Sequence, residues 1–140
     1  MSEAVRFHFL VDGEDFTSAG QASVQVKKSL RQLGIAPDII RKVSIAMYEG
    51  EINMVIHAGG GEANVLIFED RIEIILDDHG PGIANIELAM QEGFSTAPDN
   101  IRSLGFGAGM GLPNMKRYSD DMKIESELGK GTRIQMTVRL

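Results

Sequence analysis

The chain has 140 residues, 43% of them hydrophobic, with 14 Lys and Arg against 20 Asp and Glu for a net charge of −6. That size suits one domain with one core over residues 1–140, and the acidic balance excludes general nucleic-acid binding, which needs clustered cations to displace counterions. The absence of cysteine excludes disulfides, thiolate catalysis and Cys-based zinc sites. With no signal peptide and no apolar run of about 18 residues, the expectation is a cytoplasmic protein that engages no membrane.

In chain order, Val5 to Val11 reads as a strand, because Phe7, Phe9 and Val11 alternate with polar neighbours. Helical periodicity runs from Asp15 to Leu33 through Phe16, Ala19, Val24, Val26 and Leu30, and Gly34 stops it. A second helix starts at Pro37-Asp38, carries Ile40, Val43, Met47, Met54 and Ala58, and ends at Gly59-Gly60-Gly61. Ala63 to Phe68 and Ile72 to Leu76 read as paired strands around Glu69-Asp70-Arg71. A loop, Asp77 to Gly82, leads to a short helix at Ile86 to Met90 and a long connection from Gly93 to Gly109. A helix from Pro113 to Tyr118 precedes a closing hairpin, Met122–Glu127 and Thr132–Leu140, across Gly129-Lys130-Gly131. Strands joined mostly by hairpins indicate an α+β two-layer sandwich, a mixed but mostly antiparallel sheet with helices on one face, rather than a doubly wound sheet.

Three groups of residues could carry chemistry. Glu49, Asn53 and His57 recur every fourth residue, so they share one stripe of the second helix. An Asn carbonyl oxygen can hold Mg²⁺, and a Glu can take a proton from an attacking hydroxyl. A solvated polar stripe, with His57 as a structural histidine, explains the same pattern taken alone. Glu51 competes for the acidic role but points about 200° away around the helix. Asp78-His79-Gly80-Pro81-Gly82-Ile83 follows a strand directly, where an Asp can accept a hydrogen bond from an exocyclic amine; a plain turn is the alternative. The third is Gly105-Phe106-Gly107-Ala108-Gly109-Met110-Gly111-Leu112-Pro113, alternating glycines that open into a helix and suit a phosphate. A dinucleotide-binding reading fails because the run follows a long loop near the C-terminus. A Walker reading fails because no Gly-Lys-Ser/Thr follows.

Taken in order, Glu-x3-Asn-x3-His, Asp-x-Gly-x-Gly-Ile and Gly-x-Gly-x-Gly-Leu resemble the GHKL (HATPase_c) superfamily of ATP-binding domains over essentially the whole chain. Within it, Ala89 to Thr96 and the glycine run are similar to the bacterial anti-sigma-factor and stressosome-switch serine/threonine kinase group. The resemblance implies the Bergerat ATP-binding fold, ATP/ADP and Mg²⁺ as cofactors, and phosphorylation of a STAS-domain protein on Ser or Thr. It implies Glu49 as general base, Asn53 as the Mg²⁺ ligand and Asp78 as the adenine-reading aspartate, with Gly80, Gly82 and Ile83 shaping the base pocket. Gly107, Ala108, Gly109, Met110, Gly111 and Leu112 match the phosphate loop, Ser95, Thr96 and Arg102 lie in the ATP-lid region, and Thr132 supports the adenine site. Further partners it implies are a sigma factor or a downstream phosphatase, and related anti-sigma proteins form homodimers. The alternatives are an ATP-dependent anti-sigma or scaffold-binding protein acting by sequestration, a detached histidine-kinase catalytic domain, and a gyrase-type ATPase.

Overall fold

The structure, a computed structural model, describes residues 5–12, 20–83, 90 and 111–140. Strand alternation builds its base. Strands β1 (Val5–Asp12), β2 (Gly60–Ile67), β3 (Arg71–Asp77), β4 (Asp121–Glu127) and β5 (Gly131–Arg139) form one sheet in the order β1-β2-β3-β5-β4. All four pairings are antiparallel, so the parallel pair that a mixed sheet would contain is not among them. Side chains alternate across a pleat, and here one side is apolar: Ala63, Val65 and Ile67, then Ile72, Ile74 and Leu76, then Ile134, Met136 and Val138 are all buried. The register puts Val65 opposite Ile74, and Ile74 opposite Met136, so these rows form one continuous floor.

Three helices among the described residues lie on that floor: α1 (Gln21–Gln32), α2 (Pro37–Ala58) and α3 (Gly111–Arg117). Together with the sheet they make the two-layer α+β sandwich. Helix α2 starts with Pro37, whose missing N–H costs nothing in a first turn, and Asp38 adds a favourable charge at the positive end of the dipole. It ends at left-handed Gly59, whose N–H donates to the Met54 carbonyl. Its buried stripe of Ile40, Val43, Met47 and Met54 joins Val26 and Leu30 of α1 and Met115 of α3 in one core. Helix α1 begins later than periodicity suggests, because Gly20 at φ 93° interrupts any helical path into Gln21. Residues 15–19 of the expected first helix, the short helix at Ile86 (apart from Met90, which packs on the core) and the connection from Gly93 to Gly109 lie outside the described residues.

Glu51 is the one acidic residue in the described core, 2% exposed. Its Oε2 accepts the N–H groups of Gly20 (3.0 Å) and Ala22 (3.3 Å), and its Oε1 accepts that of Ser23 (2.6 Å). The first N–H groups of a helix have no partners within it, so this carboxylate from α2 caps α1 in place of a local side chain. Burial pushes its carboxyl above the ordinary glutamate range, and the donated hydrogen bonds counter that in part. Glu51→Ala should therefore leave buried donors unpaired and cost about 3 kcal/mol of stability, whereas Ala at exposed Gln25 should cost almost nothing; urea denaturation of both variants measures the difference.

Candidate functional site

Two clusters of polar side chains lie along the C-terminal half of α2, one in the loop against its last turn and one on the helix itself. The first is built on Asp78, the residue after β3. Its N–H donates to the Thr132 carbonyl at 3.0 Å, which extends the β3–β5 ladder by one step. Its Oδ1 accepts the N–H groups of Gly80 (3.0 Å) and Thr132 (3.1 Å). The carboxylate is thus held in one orientation, while Oδ2 has no donor among the described residues. An acceptor pinned in this way suits an exocyclic amine. Gly80 is needed for a close approach, since a Cβ there would lie 2.6 Å from Ala58 Cα in the last turn of α2. The loop continues through Gly82 to Ile83, whose N–H donates to Ser126 Oγ at 2.7 Å. Ser126 in turn shares a 2.9 Å hydrogen bond with Thr132 Oγ1, so β4, β5 and the loop are tied by two hydroxyls.

The second cluster is Glu49 and Asn53, both half-buried on α2, with the start of α3 beside them. Asn114 Nδ2 donates to Glu49 Oε1 at 3.4 Å. Burial pushes the Glu49 carboxyl above its ordinary value of 4.5, and the Asn114 amide offsets part of that rise. A carboxylate moved toward neutrality is a better proton acceptor near pH 7. Gly111, the first residue of α3, sits so close that a Cβ would come within 2.7 Å of Asn53 Oδ1. Leu112 and Met115 anchor α3 in the core beneath it. No group of three or more Asp, Glu or His that could hold a metal occurs among the described residues. The donor set therefore fits Mg²⁺ only as a single amide oxygen, with phosphates and water supplying the rest, which is a coordination that Mg²⁺ favours.

Of the residues singled out in the sequence, Glu49, Asn53, Gly111 and Leu112 come together on one side, and Asp78, Gly80, Gly82, Ile83 and Thr132 on the other. Ser95, Thr96, Arg102, Gly107, Ala108, Gly109 and Met110 lie outside the described residues, as does the side chain of His57. Two polar partners were missed. Ser126 carries a legible signal, a hydroxyl in the inward row of Met122 and Ile124. Asn114 carries none, because only the packing of α3 on α2 brings it to Glu49. An open groove of about 570 Å³ takes in Asp78, Ser126 and Thr132 of the first cluster and continues past Glu62, Glu125 and Arg133 at the edge of the sheet. It includes neither Glu49 nor Asn53.

Comparison with known proteins bears directly on this arrangement. The family described as histidine kinase-, DNA gyrase B-, and HSP90-like ATPase matches residues 40–140. The chain is 34% identical over 125 residues to the serine/threonine-protein kinase RsbT of Bacillus subtilis, covering 86% of each chain. It is 38% identical over 120 residues to the anti-sigma F factor of Clostridium acetobutylicum, covering 82% of this chain and 80% of that one. Among solved structures, that of the RsbU and RsbW domains of a Mycobacterium tuberculosis protein matches with a TM-score of 0.66 at 16% identity; the match covers 97% of this chain and 32% of the other.

Asp78→Asn should weaken ATP binding about 10- to 100-fold. This follows from the expectation that Asp78 accepts an exocyclic amine: with Oδ1 pinned by two N–H groups, the new amide nitrogen would stand where Oδ2 was and meet that amine donor to donor. Gly111→Ala should displace the Asn53 amide and weaken Mg²⁺-dependent binding more than metal-free binding. Isothermal titration with ATP, with and without Mg²⁺, separates the two effects.

Proposed function

We propose a function from one established premise: this chain belongs to the family of histidine kinase-, DNA gyrase B- and HSP90-like ATPases. Within that family it acts as an ATP- and Mg²⁺-dependent protein serine/threonine kinase of the anti-sigma-factor and switch-kinase type. Its substrate is a STAS-domain partner in a cytoplasmic partner-switching pathway. The observation that carries the reading is the desolvated Glu49 carboxylate one helical turn from the Asn53 amide, on the helix that borders the Asp78 loop. The relatives named as a serine/threonine kinase and as anti-sigma F factors support the class of partner.

When bound, ATP supplies the phosphoryl group and Mg²⁺ neutralises charge on its phosphates. Glu49 accepts the proton of the attacking Ser or Thr hydroxyl as that oxygen bonds to phosphorus and the bond to the ADP oxygen breaks. Asn114 keeps the Glu49 carboxylate aimed, so the base need not reorganise during the step. Asn53 offers the amide oxygen that holds the metal, and Asp78 accepts the amine of the base. Gly82 and Ile83 line the base, and Thr132 fixes Asp78 from behind. The family resemblance assigns the remaining phosphate contacts to Gly107, Gly109 and Gly111, and a role in the ATP lid to Ser95, Thr96 and Arg102; of these only Gly111 is among the described residues. Sequestration of a partner, with phosphorylation secondary, is the second reading, and the anti-sigma F factor relatives favour it.

Incubation with γ-labelled ATP, Mg²⁺ and purified STAS-domain proteins from the same genome tests the proposal. Acid-stable label on Ser or Thr supports it. Acid-labile label points to a histidine-kinase module, and tight binding without label points to sequestration. Glu49→Gln should bind MgATP as the native chain does yet lose about 100-fold or more in transfer rate. Because the Glu49 carboxyl titrates above 4.5 and only its ionised form accepts a proton, transfer should fall as the pH drops toward that raised value. The residual activity of Glu49→Gln should lack this dependence.

A further inference from the structure

Charge is unevenly spread over this acidic protein. Of the six charged residues between positions 21 and 48, five are basic: Lys27, Lys28, Arg31, Arg41 and Lys42, against Asp38. That segment carries +4 in a chain of −6. Helix α1 itself has no acidic residue. Val24, Lys27, Lys28 and Arg31 recur at three- and four-residue spacing, and so they form one ridge on the side of α1 that faces away from buried Val26 and Leu30. Arg31 and Arg41 flank the connection between α1 and α2, so the ridge continues onto the second helix.

These five cations have no ion pair among the described residues. On the sheet, Arg71 pairs with Asp70 and Glu73, Arg133 with Asp77, Arg139 with Asp121 and Lys130 with Glu127, while Arg6 and Lys123 stand singly on the two edge strands; only on α1 and α2 do the unpaired cations cluster. Apolar side chains are exposed among the unpaired cations. Val24 is 46% exposed, and Tyr48, which lies against Gly20 at the start of α1, is 41% exposed. Cations around an exposed aromatic on two packed helices have the composition of a protein interface. A polyanionic nucleic acid would be repelled by the remaining −10 of the chain, and a membrane would find no apolar helix face, since that of α1 is already in the core.

We propose that this α1–α2 face, with Lys27, Lys28, Arg31, Arg41 and Lys42 around Val24 and Tyr48, docks an acidic surface of the STAS-domain partner. The class of partner rests on the kinase reading above; the location and sign of the surface rest on the charges alone. Lys42 lies two helical turns before Glu49 on the same stripe of α2, so a partner seated on this face has one edge toward the base that must reach its hydroxyl. The rest of its footprint follows the ridge for about 10 Å between Val24 and Arg31. Attraction of this kind raises the association rate and weakens with salt.

The test measures binding of each purified STAS-domain protein of the same genome to the full chain with MgADP, at low and high salt. The variants are Lys28→Glu/Arg31→Glu and the milder Lys28→Ala/Arg31→Ala, with Lys123→Glu on the uncovered face of the sheet as control. At least one STAS protein should bind the native chain and the Lys123→Glu control alike. The double Glu variant should bind it about tenfold or more weakly, with a flatter salt dependence, and the double Ala variant should be intermediate. MgADP affinity should not change, the melting temperature should fall only slightly because Glu replaces Arg31 in the last turn of α1, and an acidic-to-Lys change on the partner should restore binding to the double Glu variant. Equal binding by all variants, or no STAS protein bound by the native chain, overturns the proposal. So does binding of a short DNA duplex, or of phosphatidylcholine vesicles containing phosphatidylglycerol, that the double Glu change abolishes. Salt-sensitive binding lost in the variant, without phosphoryl transfer by the native chain, upholds the docking face and refutes the kinase reading instead.

Discussion

Three backbone N–H groups at the start of α1 converge on a single buried carboxylate, that of Glu51. Hydrophobic burial is non-directional and would let α2 roll on the sheet with little penalty, but hydrogen bonds to a fixed carboxylate do not. Glu51 therefore sets the rotation of α2 about its own axis. Successive residues are about 100° apart, so this rotation turns Met47 and Met54 toward the sheet and Glu49 toward α3. The site inherits its geometry from a contact on the far side of the helix.

Two glutamates two positions apart consequently meet opposite fates. Both are raised by burial, but Glu51 is enclosed by three main-chain donors while Glu49 has one long hydrogen bond from Asn114. The first is saturated and structural; the second keeps acceptor capacity for a proton. The Asp78 cluster follows the same logic with one carboxylate, pinned through Oδ1 and open at Oδ2. Asp78 is held by main-chain groups and Glu49 by a side-chain amide, and each keeps an acceptor oxygen without a donor among the described residues.

Much of this was legible in the sequence because it is local. The pleat alternation in Ile72–Leu76 and Ile134–Val138 and the Pro37 and Gly59 boundaries of α2 depend on neighbouring residues only; the alternating residues lie within β3 and β5, and α2 runs from Pro37 to Ala58. The start of α1 was not, because a left-handed glycine can sit inside a periodic pattern without disturbing it. Helix α3 begins at Gly111 rather than at Pro113, so the last glycine of the run is helical and braces Asn53. Glu51 had a signal that was passed over: it lies four residues after Met47 in a buried stripe, where an unpaired carboxylate would be prohibitive. Asn114 against Glu49 and Ile83 against Ser126 join residues 65 and 43 positions apart, and nothing local encodes such pairs.

The pairing of β3 with β5 has a consequence for how this architecture can vary. Two local hairpins, β2–β3 and β4–β5, are joined only when Asp77 meets Arg133 across the whole intervening chain. The entropy lost in closing such a loop grows as the logarithm of its length, so doubling it costs only about 0.6 kcal/mol. The sheet can thus accept insertions or deletions between Ile83 and Gly111 at little cost in loop-closure entropy. The ends of that stretch are held by Ser126 at one side and by the packing of α3 on α2 at the other. A chain built this way can change length between its two hairpins while the strands stay in register.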